Sequence, residues 1–139
     1  MQAMTHEELI AFLNTEFPQV ADDFELLRLT SEGVEVKLRV ADRHLRPGGT
    51  VSGPSMFALA DVAIYLAILA RIGPVALAVT TGASIDFLRK PAAGVDLIGV
   101  ARILKLGRVL AVGDVLLYAE GNADPVARAS MTYSIPPGR

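Results

Sequence analysis

The sequence predicts an α+β domain in which a curled antiparallel sheet wraps a long, apolar central helix, with a short N-terminal helix ahead of it. Three observations carry this expectation. Residues 51–79 are the most apolar stretch and hold only two charged residues, Asp61 and Arg71. Four β-rich runs follow it, separated by short turn-forming breaks, and an alternating hairpin pattern precedes it. A helix apolar on all sides is one surrounded by protein, and a twisted antiparallel sheet can curl far enough to surround it.

The elements follow in order. Thr5-His6-Glu7-Glu8 has the form of a capping box, and Leu9, Ile10, Leu13 and Phe17 follow at helical spacing, which predicts an amphipathic helix of about three turns. Phe24–Leu29 and Val34–Val40 alternate apolar and polar residues around Ser31-Glu32-Gly33, as two strands of a hairpin do. Pro47, Gly48 and Gly49 mark residues 41–52 as a loop. Gly53-Pro54 opens the long helix, with Ser52 or Gly53 placed to cap it, and Gly73-Pro74 ends it. The runs Val75–Arg89, Val95–Leu106, Val109–Glu120 and Val126–Ile135 are joined by short connections, which imply an antiparallel meander.

Composition bounds the chemistry. The chain has 139 residues, no cysteine, two histidines, 13 Lys and Arg, and 15 Asp and Glu. This is the length of a single domain, residues 1–139, able to bury a core without disulfides. No thiolate nucleophile, cysteine-ligated metal or multi-histidine metal site is available, so no metal and no cofactor is expected. A net charge of −2 gives no case for a nucleic-acid partner. Residues 1–70 carry ten acidic and five basic side chains, against five acidic and eight basic in residues 71–139, so an anionic ligand is expected in the second half. Asp61 and Arg71 leave too short an apolar run for a membrane span. The N-terminal residues lack the pattern of a signal peptide, and the expected location is cytoplasmic.

Asp61 is the residue at odds with its surroundings. A carboxylate inside Met56–Leu66 is costly unless paired or solvated, so it is either a structural acid, bonded to a neighbouring backbone or to Arg71, or a functional one. A second feature is Gly48-Gly49-Thr50-Val51-Ser52-Gly53-Pro54, a glycine-bearing turn into a helix start. Free N–H groups and the positive end of the helix dipole meet there, which suits a carbonyl oxygen or an oxyanion. Eight residues separate Gly53 from Asp61, about 12 Å along a helix, so one chain cannot easily bring both to a single carbonyl. Two chains in a symmetric dimer can.

Pro47–Gly53, Leu59-Ala60-Asp61-Val62-Ala63, Ile85–Pro91, Leu106-Gly107-Arg108 and Ala127–Tyr133, taken in this order and spacing, resemble the hotdog-fold acyl-CoA thioesterases of the phenylacetic-acid-degradation (PaaI-like) group, over roughly residues 40–135. The resemblance implies hydrolysis of an acyl-CoA to free acid and CoA in a homodimer that pairs into a dimer of dimers, with neither a nucleic-acid nor a membrane partner. It implies Asp61 as general base or nucleophile, and the Gly53 N–H as the group that polarises the thioester carbonyl. Thr80, or Thr81 if the alignment slips by one, matches the hydroxyl that positions water, and alternation lets only one of them face the site. Ser52 stands where the family commonly has His beside the helix-start glycine, and Arg46 where it often has Asn before the loop proline. Ser52 is thus grouped with the catalytic residues, and Arg46, Thr81, Arg89, Lys90 and Arg108 with those that bind substrate. Arg89, Lys90, Arg102, Lys105 and Arg108 supply charge for CoA's phosphates. Without the histidine, a catalytically silent hotdog protein that binds acyl-CoA or a lipid-like ligand is the alternative. Met56, Phe57, Tyr65 and Ile68 are candidates for the acyl pocket, although helical spacing suits them equally to the core.

Overall fold

The computed structural model describes residues 2–137. Its helices are α1 (His6–Glu16), α2 (Pro18–Ala21) and α3 (Gly53–Ile72), and its strands are β1 (Phe24–Leu29), β2 (Gly33–Leu38), β3 (Val79–Phe87), β4 (Leu97–Leu106), β5 (Leu110–Ala119) and β6 (Pro125–Ser134). The expected capping box is present. The Thr5 hydroxyl accepts from Glu8 N at 3.1 Å, and Thr5 N donates to the Glu8 carboxylate at 2.8 Å. Helix α1 stops at Glu16 and Pro18 begins α2, a short turn not anticipated in the sequence, where Pro takes the first position.

Helix α3 is the core of the molecule. Twelve of its 20 residues are buried, among them Leu59, Ala60, Ala63, Ile64 and Ile68, all 0% exposed. They pack on inward-facing Val34 and Val36 of β2, Leu97 and Ala101 of β4, and Val115 and Leu117 of β5. The helix is long and apolar enough to cross a membrane, but here the sheet takes the place of lipid around it. Ser52 caps its start and Gly73, at φ 100°, ends it. This is the hotdog fold: one antiparallel sheet curled around one helix, with a short helix at the N-terminus.

The strand order is β1-β2-β4-β5-β6-β3, with every neighbouring pair antiparallel. The expected meander holds for β4, β5 and β6 and is corrected for β3. That strand does not pair with β4, although only residues 88–96 join the two in sequence. It lies beyond β6 at the far edge, while β2 pairs with β4, so the link crosses from one end of the curled sheet to its middle. A sheet that wraps around a helix brings distant strands close enough for a short segment to bridge. At the edge, seven of the nine residues of β3 are exposed, Val79 and Phe87 among them at 53% each.

Candidate active site

Two separate cavities hold Gly53 and Asp61, with several of the other residues singled out in the sequence. The first lies at the start of α3. Gly48 and Gly49 have φ of 97° and 80°, values that only glycine adopts without strain, and they turn the chain so that Leu45 bridges Val51. Ser52 N donates to His44 O at 2.8 Å, and the Ser52 hydroxyl accepts from Ser55 N at 3.3 Å while lying 3.0 Å from Ser55 Oγ as its donor. The Ser52 hydroxyl thus caps the helix as acceptor and donates to the Ser55 side chain. Gly53 follows at the first helical position, and its N–H has no acceptor among the described residues. A cleft of about 480 Å³ opens beside it, lined by Arg46, Met56, Phe87, Arg89 and Lys90. The Arg89 guanidinium donates to the Pro125 carbonyl, and Lys90 is exposed. A peptide N–H at the positive end of a 20-residue helix, beside three cationic side chains, suits the oxygen of a polarised carbonyl attached to an anionic carrier.

The second cavity, of about 310 Å³, holds Asp61, Thr80 and Tyr133 together with Phe17 and Tyr65. Thr80 Oγ1 donates to Asp61 Oδ1 at 2.5 Å, and Tyr133 OH lies 2.7 Å from the same oxygen and 3.0 Å from the Asp61 carbonyl. Asp61 is half-buried. Arg71 is not its partner, since that guanidinium donates to Ser31 O at 3.1 Å. Burial first, and the charge of Asp61 second, push the Tyr133 phenol far above its ordinary range, so it stays protonated and donates. Burial likewise raises Tyr65, whose hydroxyl donates to Ala76 O at 3.1 Å. Its ring meets Phe17 edge-on at 6.3 Å.

A bulge sets which of the two threonines faces Asp61. Thr80 pairs with Tyr133 and Gly82 with Thr132, which leaves Thr81 as the extra residue. Thr81 is exposed and donates to Thr132 O at 3.4 Å, away from Asp61. Arg108 lies exposed at the turn from β4 to β5 and lines neither cavity. Arg102 lines neither cavity and forms a two-pronged ion pair with Asp114 on the outer face of the sheet, at 2.8 and 3.1 Å. Met56 lines the first cavity and Tyr65 the second, whereas Ile68 is fully buried core and Phe57 packs against it.

Three site residues carried no assigned role in the sequence. Tyr133 had one usable signal, a phenol at an inward position of an alternating strand, where a buried hydroxyl needs a partner. Phe17 and Phe87 reach the cavities only through tertiary packing.

The family model of the thioesterase superfamily matches residues 48–126. Among solved structures, a candidate thioesterase from Silicibacter sp. is 57% identical, with a TM-score of 0.92 over 99% of this chain and 95% of that one. The phenylacetic acid degradation protein PaaI from Thermus thermophilus is 29% identical, with a TM-score of 0.73 over 86% of this chain and 99% of that one. A hypothetical thioesterase from Streptococcus pneumoniae, crystallised with coenzyme A, shares the fold at 21% identity, with a TM-score of 0.77 over 94% of this chain and 98% of that one. No protein of curated function matches the sequence significantly.

Proposed function

The chain belongs to the thioesterase superfamily, and from that premise we propose that it hydrolyses an acyl-CoA thioester to free acid and CoA, at sites shared between two copies of the chain. The observation that carries the shared site is the separation of its two halves. Gly53, with its free N–H, and Asp61, with its bound hydroxyls, open into different cavities of one chain. The edge of β3 gives the pairing a physical basis. It is a nine-residue strand bearing Thr80 near one end and Phe87 at the other, exposed and unpaired on one side among the described residues. Such an edge is a template for a second strand. A two-fold pairing there sets the helix start of one copy near the mid-helix carboxylate of the other.

In this reading the thioester carbonyl accepts a hydrogen bond from Gly53 N–H, which stabilises the negative charge that develops on oxygen. Asp61 takes a proton from water as the water oxygen attacks the carbonyl carbon. The C–S bond then breaks, the thiolate leaves, and the proton held by Asp61 is returned to sulfur. As a nucleophile, Asp61 would instead form an acyl-aspartyl anhydride that water opens. Arg46, Arg89 and Lys90 face the anionic carrier. Coenzyme A in the Streptococcus pneumoniae structure supports that choice of carrier.

The test is release of free thiol from a panel of acyl-CoAs, followed with a thiol reagent that a cysteine-free protein does not consume. Thiol release by wild type that falls at least a hundredfold in Asp61→Asn, with the fold retained, is the expected result. Acyl-CoA binding without release would make the protein a silent binder instead. Release that survives Asp61→Asn would move the base elsewhere.

A further inference from the structure

We propose that Tyr133 is a positioning residue that acts with Thr80 to hold one oxygen of Asp61 and reserve the other for the attacking water, an inference that rests on the hydrolytic role given to Asp61 above. Tyr133 OH and Thr80 Oγ1 lie 2.7 and 2.5 Å from the same atom, Oδ1. No hydrogen bond reaches Oδ2 among the described residues.

The arrangement comes from the sheet. Thr80 and Tyr133 are direct cross-strand partners on β3 and β6, so their side chains rise side by side on one face, toward the middle of α3. Tyr133 is 3% exposed, and its ring lies 6.3 Å from that of Tyr65, which fixes the position of the phenol. The bulge at Thr81 brings Thr80 into the row, since the residues beyond it shift register by one.

One consequence follows for a carboxylate that must move a proton. With two donors on Oδ1, rotation about the bond to Cβ breaks hydrogen bonds, so Oδ2 keeps one direction. A merely structural tyrosine would affect only stability. The tyrosine hydroxyl is unsuited to attack or to act as the base itself, because its environment favours the protonated phenol.

The experiment pairs Tyr133→Phe, which keeps the ring, with Thr80→Val, which keeps the shape. Each is expected to lower kcat roughly tenfold or more while KM for acyl-CoA stays within about twofold, since the lost interaction serves the reacting water and not substrate binding. Thr80→Ser, which retains the donor, should restore the wild-type kcat. Crystal structures of wild type and of Tyr133→Phe read the orientation of the Asp61 carboxylate with no turnover required, and loss of the Tyr133 donor should let it rotate. If wild type releases no thiol, the proposed function fails, while the carboxylate orientation still tests the hydrogen bonds. A carboxylate held in one orientation in both proteins overturns the inference, as does an unchanged kcat accompanied only by a lower melting temperature.

Discussion

Gly113 on β5 lies so close to Ile64 on α3 that a Cβ at position 113 would fall 2.6 Å from Ile64 Cδ1 and 2.7 Å from the Arg102 carbonyl oxygen. The side chain could turn aside, but the carbonyl belongs to the neighbouring strand and cannot. Gly113→Ala should therefore destabilise the fold by about 1–3 kcal/mol, the usual cost of overpacking a filled core. Adding Ile64→Val removes only one of the two clashes and should recover only part of the loss. Urea unfolding checks both variants, and an unchanged midpoint would show that helix and sheet can separate here at no cost.

A second relationship links stability to pH. Burial works to raise the Asp23 carboxyl, but hydrogen bonds from Arg43 and His44 outweigh it and hold the group below its ordinary value. His44 is 6% exposed, its Nδ1 accepts from Ala41 N at 2.9 Å, and its carbonyl accepts from Ser52 N, so Asp23 anchors the loop that leads into α3. A carboxyl depressed on folding adds stability that is present above its unfolded pKa, about 4, and is lost as pH falls through the lower folded value. Stability should thus drop below about pH 4 in wild type. Asp23→Asn should be less stable at neutral pH and show a shallower loss on acidification. Unfolding midpoints from pH 7 down to pH 3 give the comparison, and parallel curves for the two proteins would remove Asp23 from the acid response.

What the sequence disclosed divides by range. Thr5 and Glu8, Ser52, Gly53-Pro54 and Gly73-Pro74 act on their own neighbours, so the start of α1 and both ends of α3 could be read from local chemistry. Inward alternation placed most strands within two residues, because each strand faces one core. The place of β3 was hidden, since Val79–Phe87 pairs with Pro125–Ser134, and short links in sequence do not reveal which edge a curled sheet leaves free. Asp61 stood out as a charge in an apolar run, yet its partner Tyr133 is 72 residues away, and no periodicity encodes that contact. The Arg102–Asp114 pair was hidden for the same reason, because the two meet only across the β4–β5 ladder.

Charge at the first cavity gives a test of the carrier. Replacing Arg89 and Lys90 together by Ala should raise KM for acyl-CoA about tenfold and flatten its dependence on salt, because phosphate contacts are screened by ions. Small thioesters that lack the nucleotide should be hydrolysed as before. Steady-state kinetics on both substrates at two ionic strengths decides the point, and equal losses on the two would place these side chains in the fold and not on the carrier.

The shared site makes the most demanding prediction, because it follows from the separation of Gly53 and Asp61 whatever acyl group is hydrolysed. Asp61→Ala removes the base, and Gly53→Pro removes the N–H that polarises the carbonyl. On its N-terminal side the second change suits the backbone it enters. Proline is favoured at the first helical position, and Ser52 before it already has φ −72° and ψ 155°, the region that a residue preceding proline prefers. A Cβ at position 53 would meet only the end of the exposed Phe87 ring, at 3.2 Å, and that side chain can yield. Each variant alone should be inactive. In a mixed dimer of the two, one site carries both lesions and the other carries neither. Random pairing gives about half heterodimers, so a co-expressed sample should show roughly a quarter of the wild-type sites at unchanged KM. Thiol release from that sample, once shown to be folded and dimeric, is the measurement. Recovery requires Gly53 of one copy to act with Asp61 of the other, whereas absence of recovery would confine both groups to one chain or remove one of them from the reaction.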